Sequence, residues 1–241
     1  MVGLKFSFAV TACYAIAAFG AVSRAAVDSE TAPYLYTEAA RYDASPSAAE
    51  RFPAGARLML VTRSGTRPLV PGFAASADAS VSFDATHVLF AGKQKASDPW
   101  QIWEVAIAGG APRRITSGSS DCILPLYLPD AKLVYARRTP HGFQIELMPL
   151  AGGAPLRLTY GPGNHLPSDV LADGRVLFDA PHAAAAPPGA RDLYAVYSDG
   201  SGVETVRCDH GRDRHSGREV SSGDIIFEAD ERLARFTSPR A

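Results

Sequence analysis

One stretch of this sequence occurs twice, 43 residues apart. It begins Gln101-Ile102-Trp103-Glu104-Val105, passes through Gly109-Gly110-Ala111-Pro112 and ends Arg114-Ile115-Thr116. It returns as Gln144-Ile145-Glu146-Leu147-Met148, then Gly152-Gly153-Ala154-Pro155, then Arg157-Leu158-Thr159. Both copies read as strand, Gly-Gly turn, strand. Self-similarity at this period, on a unit of four strands, is the mark of a β-propeller blade.

The rest of the chain fits the same unit. The first complete repeat runs over 76–116, with Val81-Ser82-Phe83 as inner strand, Asp84-Ala85-Thr86 as turn and His87-Val88-Leu89-Phe90-Ala91 as second strand. The second covers 121–159, with Leu128-Pro129-Asp130-Ala131 at its turn and Leu133-Val134-Tyr135-Ala136 after it. The third covers 164–206, with Leu171-Ala172-Asp173-Gly174, then Val176-Leu177-Phe178, an Ala/Pro-rich insertion and Asp192-Leu193-Tyr194-Ala195-Val196. A fourth opens at Asp213, with Ser221-Ser222-Gly223 at the turn and Ile225-Ile226-Phe227 next. Phe90, Tyr135, Phe178 and Phe227 recur at one position of each repeat, and large apolar side chains there are expected to pack between neighbouring blades. Trp103 reads as core, Trp100 after Pro99 as an exposed contact residue, and His87 and His141 as solvent-facing.

The ends look complementary. Leu58-Met59-Leu60-Val61, Ser64-Gly65 and Pro68-Leu69-Val70 match the latter half of a repeat, whereas the last repeat stops after its first half. A blade assembled from both ends would leave no open sheet edge at the seam and gives three whole blades plus one shared. The count becomes five if Arg232–Thr237 extends the last repeat and residues 26–70 make more of a blade. An incomplete arc is the third possibility. The fold class is thus all-β, a propeller of four-stranded antiparallel blades numbering about four or five.

Residues 1–25 stand apart. Lys5 precedes an apolar run from Phe6 to Val22, and Ser23 and Ala25 occupy the small-residue positions of a cleavage site, the layout of a secretory signal peptide. The alternative is an uncleaved anchor, for which a run of about 17 Ala-rich residues is short. Residues 26–56, rich in Ala, Ser and Pro, read as a linker or surface arm pinned by Tyr34, Tyr36 and Tyr42, and 57–241 as the propeller domain. Export places the chain in the periplasm or outside the cell, with no stable membrane span once the leader is cut. Cleavage removes Lys5 and Arg24 from the 24 basic residues, leaving 22 against 25 acidic ones. That balance of scattered signs carries no nucleic-acid footprint and no polybasic membrane patch. Of three cysteines, Cys13 belongs to the leader; Cys122 and Cys208 lie two repeats apart, too far to expect a bridge, and read as buried thiols.

These repeats resemble the WD40-like (PD40) propeller repeat of the TolB family of secreted bacterial proteins. The likeness lies in Val81-Ser82-Phe83-Asp84 with Val88-Leu89-Phe90, in Leu128-Pro129-Asp130 with Leu133-Val134-Tyr135, and in Leu171-Ala172-Asp173-Gly174 with Val176-Leu177-Phe178. Ile102–Thr116 and Ile145–Thr159 fit its strand-turn-strand half, and the resemblance spans roughly 57–235. It implies a periplasmic or extracellular propeller and, because this repeat serves many hosts, no particular activity. Similar propellers precede the hydrolase domain of prolyl oligopeptidase-like enzymes or accompany c-type cytochromes. The sequence has no Gly-x-Ser-x-Gly elbow and no Cys-x-x-Cys-His haem site.

Two sets of polar residues are candidates for function. Asp121, Asn164 and Asp213 open successive inner strands at the same mouth and, with His165, are expected to form a rim for a protein or peptide partner. The competing reading is turn chemistry, in which Asp and Asn bond nearby backbone. Cys208, Asp209, His210, Asp213 and His215 carry the ligand types of a transition-metal or zinc site, though the spacing fits no zinc signature and Arg212 and Arg214 would oppose a cation. Asp84, Asp130 and Asp173 belong to hairpin geometry rather than catalysis. The sequence therefore reads as a non-enzymatic, cofactor-free propeller that binds a protein or peptide, the alternatives being a metal-dependent or enzymatic module at 208–215 or a fragment of a larger propeller protein.

Overall fold

The structure, a computed structural model, describes residues 32–43, 51–182, 190–207, 213–230 and 232–237. The leader at 1–25 and Cys208, Asp209 and His210 lie outside the described residues. All regular structure among the described residues is β, arranged as five small antiparallel sheets of propeller-blade type. The chain divides into two compact units, the first ending at Arg114 and the second beginning at Ile115.

The first unit holds two sheets. Strands β1 (Tyr34–Glu38), β2 (Arg57–Thr62) and β3 (Gly65–Pro68) form one; β4 (Ala75–Val81), β5 (His87–Lys93), β6 (Gln101–Ala106) and β7 (Arg113–Arg114) form the other. The second unit holds three. They are β8 (Cys122–Leu128), β9 (Lys132–Thr139), β10 (Gly142–Pro149) and β11 (Leu156–Arg157); β12 (Leu166–Val170), β13 (Val176–Pro181), β14 (Arg191–Val196) and β15 (Glu204–Thr205); and β16 (Arg214–Glu219), β17 (Ile225–Ala229) and β18 (Arg232–Phe236). Each sheet is a meander in chain order.

The second strand of a blade is sandwiched by neighbours on both faces, so its burial is continuous rather than alternating. Val88 to Ala91 in β5, Leu133 to Ala136 in β9 and Val176 to Ala180 in β13 are all buried. As expected, three of the repeat aromatics fill the spaces between sheets: Phe90 with Leu35, Leu58 and Leu60; Phe178 with Ile145 and Leu158; Phe227 with Leu177 and Leu193. Tyr135 is equally buried but polar in its role, donating its hydroxyl to Glu146 Oε2 at 2.8 Å.

The duplicated segment has a structural reason. Gln144 and Thr159 are both buried; the Thr159 hydroxyl accepts from Ile145 N at 2.9 Å and donates to Gln144 Oε1 at 3.2 Å. That pair fixes the short fourth strand against the third, where two ladder residues alone would hold it weakly. The Asp84 turn behaves as read: its Oδ1 accepts from Ser82 Oγ, Thr86 N and Thr86 Oγ1 at 2.6–3.1 Å, and these bonds hold the carboxyl near pKa 2.

The seam differs from the shared-blade expectation. Residues 57–70 form the last two strands of a blade, as read, but Tyr34–Glu38, placed in a surface arm by its composition, supplies the strand before them, in register Tyr34↔Val61 to Glu38↔Arg57. Its alternation drops Leu35 into the core, with the tyrosines on the other face. At the other end Arg232–Phe236 extends the last repeat, pairing Ile225↔Phe236 to Ala229↔Arg232. Among the described residues the first and last sheets exchange no strand, and there are five sheets instead of three and a shared fourth. Trp100 also departs from expectation: it is 5% exposed, with Lys93 Nζ 5.3 Å from its ring centroid. Trp103 is core, and His87 and His141 are exposed, as read.

One feature had no signal in the sequence. The first strand of each of four sheets carries a register shift at one place, Ala77/Ser80, Ile123/Leu126, Pro167/Asp169 and His215/Arg218. Asp78, Leu124 and Ser216 sit there at φ of 56°, 53° and 57°. Such bulges bend the strand that must follow the tapering inner edge of a blade.

Candidate functional site

The sequence-predicted rim residues lie where a blade begins, and the structure shows what their polar atoms do. Asn164 Oδ1 accepts from Phe143 N, at the start of the third strand of the preceding blade, at 2.9 Å. Around it, Gly163 N reaches His141 O and His165 N reaches Phe143 O, each at 2.8 Å, and Gln144 Nε2 donates to Gly161 O and Gly163 O. Asp213 repeats the arrangement one blade on. Its carboxylate accepts from Arg191 N at 2.8 Å, Arg191 Nε at 3.1 Å and Arg191 Nη2 at 2.6 Å. In the first unit Leu58 N donates to Ser76 Oγ at 2.9 Å and Ser76 N to Ala56 O. Asp121 pairs with Arg138, through Nε at 3.0 Å and through its own carbonyl. The residues that open each blade therefore clasp a strand, in Asn164 and Asp213 that of the blade before. Turn chemistry of this kind was expected for their own backbone; the partner is a different strand, which only the fold brings near.

His165 does not face outward as a rim residue. Its ring stacks on Phe178, centroids 5.9 Å apart at 15°, and its Nδ1 is buried without a hydrogen-bond partner among the described residues. His215 lies beside Asp213, Nε2 to Oδ2 at 4.0 Å, with Nδ1 3.8 Å from Glu228 Oε2. Of the candidate metal ligands these two are described, and Asp213 is already held by Arg191. No group of three or more His, Cys, Asp or Glu among the described residues is arranged to hold a metal ion.

Both imidazoles are held below their ordinary pKa. Burial is the main cause at His165, opposed by a hydrogen bond to the Pro162 carbonyl. At His215 burial comes first, Arg191 adds to it, and Glu228 and Asp213 oppose. A histidine with a depressed native pKa contributes its full stability above the unfolded value of about 6.5 and loses it as pH falls toward the native value. The urea midpoint is therefore expected to drop between about pH 7 and pH 5.5, with a shallower drop in a His165→Phe/His215→Gln variant. Identical slopes in the two proteins would refute this. Asp213 acts in a lower window: burial alone would raise its pKa, but Arg191 outweighs that and holds it below the ordinary carboxylate range, so its contribution is lost only below about pH 4.

Reasoning from sequence missed a buried polar network in the second unit. Arg137 Nε donates to Glu146 Oε2 at 2.7 Å, Arg137 Nη2 to Tyr135 Oη at 3.1 Å, and Arg137 Nη1 to Ser117 O at 3.4 Å. Glu146 and Arg137 occupy strand positions that are apolar or small in neighbouring repeats, such as Trp103 and Gly92, and that contrast was the available signal. Cys122 is fully buried, a free thiol whose Sγ points at Ser120 O. Burial pushes its pKa up to about 11. The thiolate is the reactive form, so Cys122 is expected to resist a thiol reagent at pH 8 in the native protein and to react fully in urea. Peptide mapping that finds Cys122 labelled in the native state would contradict its burial.

No family model matches this chain, and no curated protein matches it. Solved structures do. Hydrazine synthase of Kuenenia stuttgartiensis superposes with a TM-score of 0.75 at 16% identity, over 86% of this chain and 37% of that one. A TolB-type protein of Agrobacterium tumefaciens gives 0.57 at 22% identity, over 80% and 69%. A puromycin-hydrolysing peptidase of Mycobacterium tuberculosis gives 0.52 at 16%, over 74% and 33%. The chain thus spans about a third of the synthase and peptidase chains. At these identities the likeness defines the fold, a β-propeller of the kind TolB contains, shared with enzymes whose chains extend well beyond it.

Proposed function

We propose that this chain is a non-enzymatic propeller, exported to the periplasm or beyond, that binds a protein or peptide partner at the mouth where its blades open. The observation that supports this best is the equivalence of Asn164 and Asp213. The repeat sets both at one edge of the second unit and each is locked by its clasp, with Arg191 and the His215 imidazole beside the second. A rigid row of polar groups at regular spacing is what recognition of an extended partner needs, since little entropy remains to be lost on binding. The likeness to TolB and the leader-like residues 1–25 point the same way.

The test is site-specific photo-crosslinking in the periplasm. Tyr160, 72% exposed in the connection leading to Asn164, reports on the mouth. Asp130, exposed at the hairpin at the far end of β8, reports on the opposite end. Capture of one protein at Tyr160 and not at Asp130 is expected. Capture at Asp130 alone would move the surface, and capture at neither would refute binding at the mouth. A second reading, a propeller that works with a hydrolase, is favoured by the likeness to the puromycin-hydrolysing peptidase. Co-purification of the protein with an activity that releases p-nitroaniline from aminoacyl anilides would favour it over the first.

A further inference from the structure

The last two sheets of the second unit depart from the repeat at several positions that converge on one cavity. Where β10 and its neighbour use Gln144 and Thr159, the next blade has Asp192 and Arg207. Asp192 Oδ1 takes over the threonine's task, accepting from Leu193 N at 2.9 Å, and also receives Arg214 Nη1 at 3.4 Å. Arg214 stands where other blades place Ser76, Cys122 and His165. Opposite the repeat aromatic, the third strand carries Trp103, Glu146 or Tyr194, paired with Phe90, Tyr135 and Phe178; opposite Phe227 it carries Ala234. The missing bulk leaves space.

That space is a cavity of about 370 Å³ whose walls include Arg207, Arg214, Arg235, Phe227, Phe236 and Ala234, with no acidic residue among the described residues that line it. Arg214 is 4% exposed, and its guanidinium lies 5.1 Å from the Phe236 ring centroid. Arg235 reaches Asp224 at 3.5 Å. Arg207 is exposed and lies 5.0 Å from the Phe236 centroid, and no carboxylate among the described residues pairs with it. Arg207 and Arg214 set two guanidiniums over the Phe236 ring, with Arg235 at the wall, and such a cluster makes a site for a carboxylate. A second observation gives the carrier. Among the described residues β18 pairs with β17 alone, whereas the equivalent strands β6, β10 and β14 each carry a two-residue fourth strand. Ala234, Arg235 and Phe236 thus line the cavity from a strand whose other edge is unpaired among the described residues, a template for strand addition.

We propose that an acidic, extended peptide segment of another protein adds to the β18 edge and places a carboxylate in the Arg207–Arg214–Arg235 cavity. Alternation along the added strand sends every second side chain to the cavity face, so the motif is a carboxylate at alternate positions among apolar residues. The inference rests on the partner-binding reading and specifies the chemistry of one docking surface.

Fluorescence anisotropy with the purified protein tests it, using a capped, labelled peptide Val-Glu-Val-Glu-Val-Glu and its Val-Gln analogue. The acidic peptide is expected to bind at least about tenfold more tightly than the analogue, the scale of one lost charge-assisted hydrogen bond. Arg207→Gln, at an exposed position, should weaken binding by a similar factor. Ala234→Trp, which restores the bulk seen at Trp103, should abolish it while leaving the melting temperature unchanged or higher. Raising salt from about 50 to about 200 mM should weaken it further. Equal binding of both peptides, or no effect of either substitution, overturns the proposal. A peptide N-methylated on alternate amides that binds as well removes the strand edge from it. A concentration-dependent dimer dissolved by Arg207→Gln would put a second copy of this chain in the peptide's place. Capture at Tyr160 without peptide binding sinks this inference alone; peptide binding without that capture sinks the mouth surface and leaves this one.

Discussion

Gly142→Ala is expected to cost about 4 kcal/mol, several times the effect of an ordinary surface substitution. Gly142 sits at φ +114°, and a Cβ there would fall on the carbonyl of Gly163 and 3.0 Å from Asn164 Oδ1. Neither group can yield cheaply. The Gly163 peptide is fixed by its own N–H on His141 O at 2.8 Å, and Asn164 by Phe143 N at 2.9 Å. The alanine must therefore open the clasp between two blades, exposing several backbone bonds at once. Gly152→Ala is the control: it lies at φ +95° with nothing within 4 Å of the added carbon. It should lose only the backbone term, about 1–2 kcal/mol. Urea unfolding of both variants decides the matter. Equal losses would mean that the clasp contributes nothing beyond the glycine conformation.

The second large effect lies in the network around Glu146. Truncating it to alanine removes the acceptor of both Arg137 Nε and the Tyr135 hydroxyl in a strand whose neighbours are buried. Burial alone would lower the Arg137 pKa, but the hydrogen bonds to Glu146 and Tyr135 and the neighbouring groups together raise it, and a guanidinium stays charged in any case. Burial pushes the Tyr135 hydroxyl up, so it remains a neutral donor. Glu146→Ala then leaves a cation and a hydroxyl without their acceptor, for an expected cost of about 3 kcal/mol; Arg137, 21% exposed, keeps the figure at the low end for a broken buried pair. An Arg137→Met/Glu146→Met double variant removes both charges and should recover most of that loss. Additive losses would show that the pair is not coupled.

These effects bear on function through one property. A blade buries its faces only against its neighbours, so whatever surface the protein presents depends on the blade-to-blade clasps. Asp213 carries both roles: with Arg191 it holds the opening of the last blade, and it stands beside His215 at the proposed mouth. Asp213→Asn is therefore expected to lower stability and binding together, whereas Arg207→Gln at the cavity lowers binding alone. Unfolding of both variants, with crosslinking at Tyr160 for Asp213→Asn and anisotropy for Arg207→Gln, separates a structural polar residue from a recognising one.

The repeat itself was legible from the chain. The strands, their order, the Asp84 turn, the buried aromatics and the Gln144–Thr159 half of the unit all follow from local alternation, turn residues and recurrence at 43 residues, properties of neighbours in sequence. The first strand was obscured because Tyr34-Leu35-Tyr36-Thr37 is brief and lies among Ala, Ser and Pro, so its pairing with Arg57–Val61 became clear only when Leu35 was seen in the core. Asn164 and Asp213 recur at equivalent places along the chain, but their partners, Phe143 and Arg191, lie about 20 residues away and are brought close by the packing of adjacent blades. The arginine cavity had even less signal. Asp192, Arg207, Arg214 and Ala234 are each unremarkable departures from a loose repeat, spread over more than 40 residues. Sequence determines which strands form and how often, because those depend on alternation along the backbone. Which polar groups meet, and where a missing side chain leaves space, depends on what the adjacent blade places opposite, and that is decided by tertiary structure.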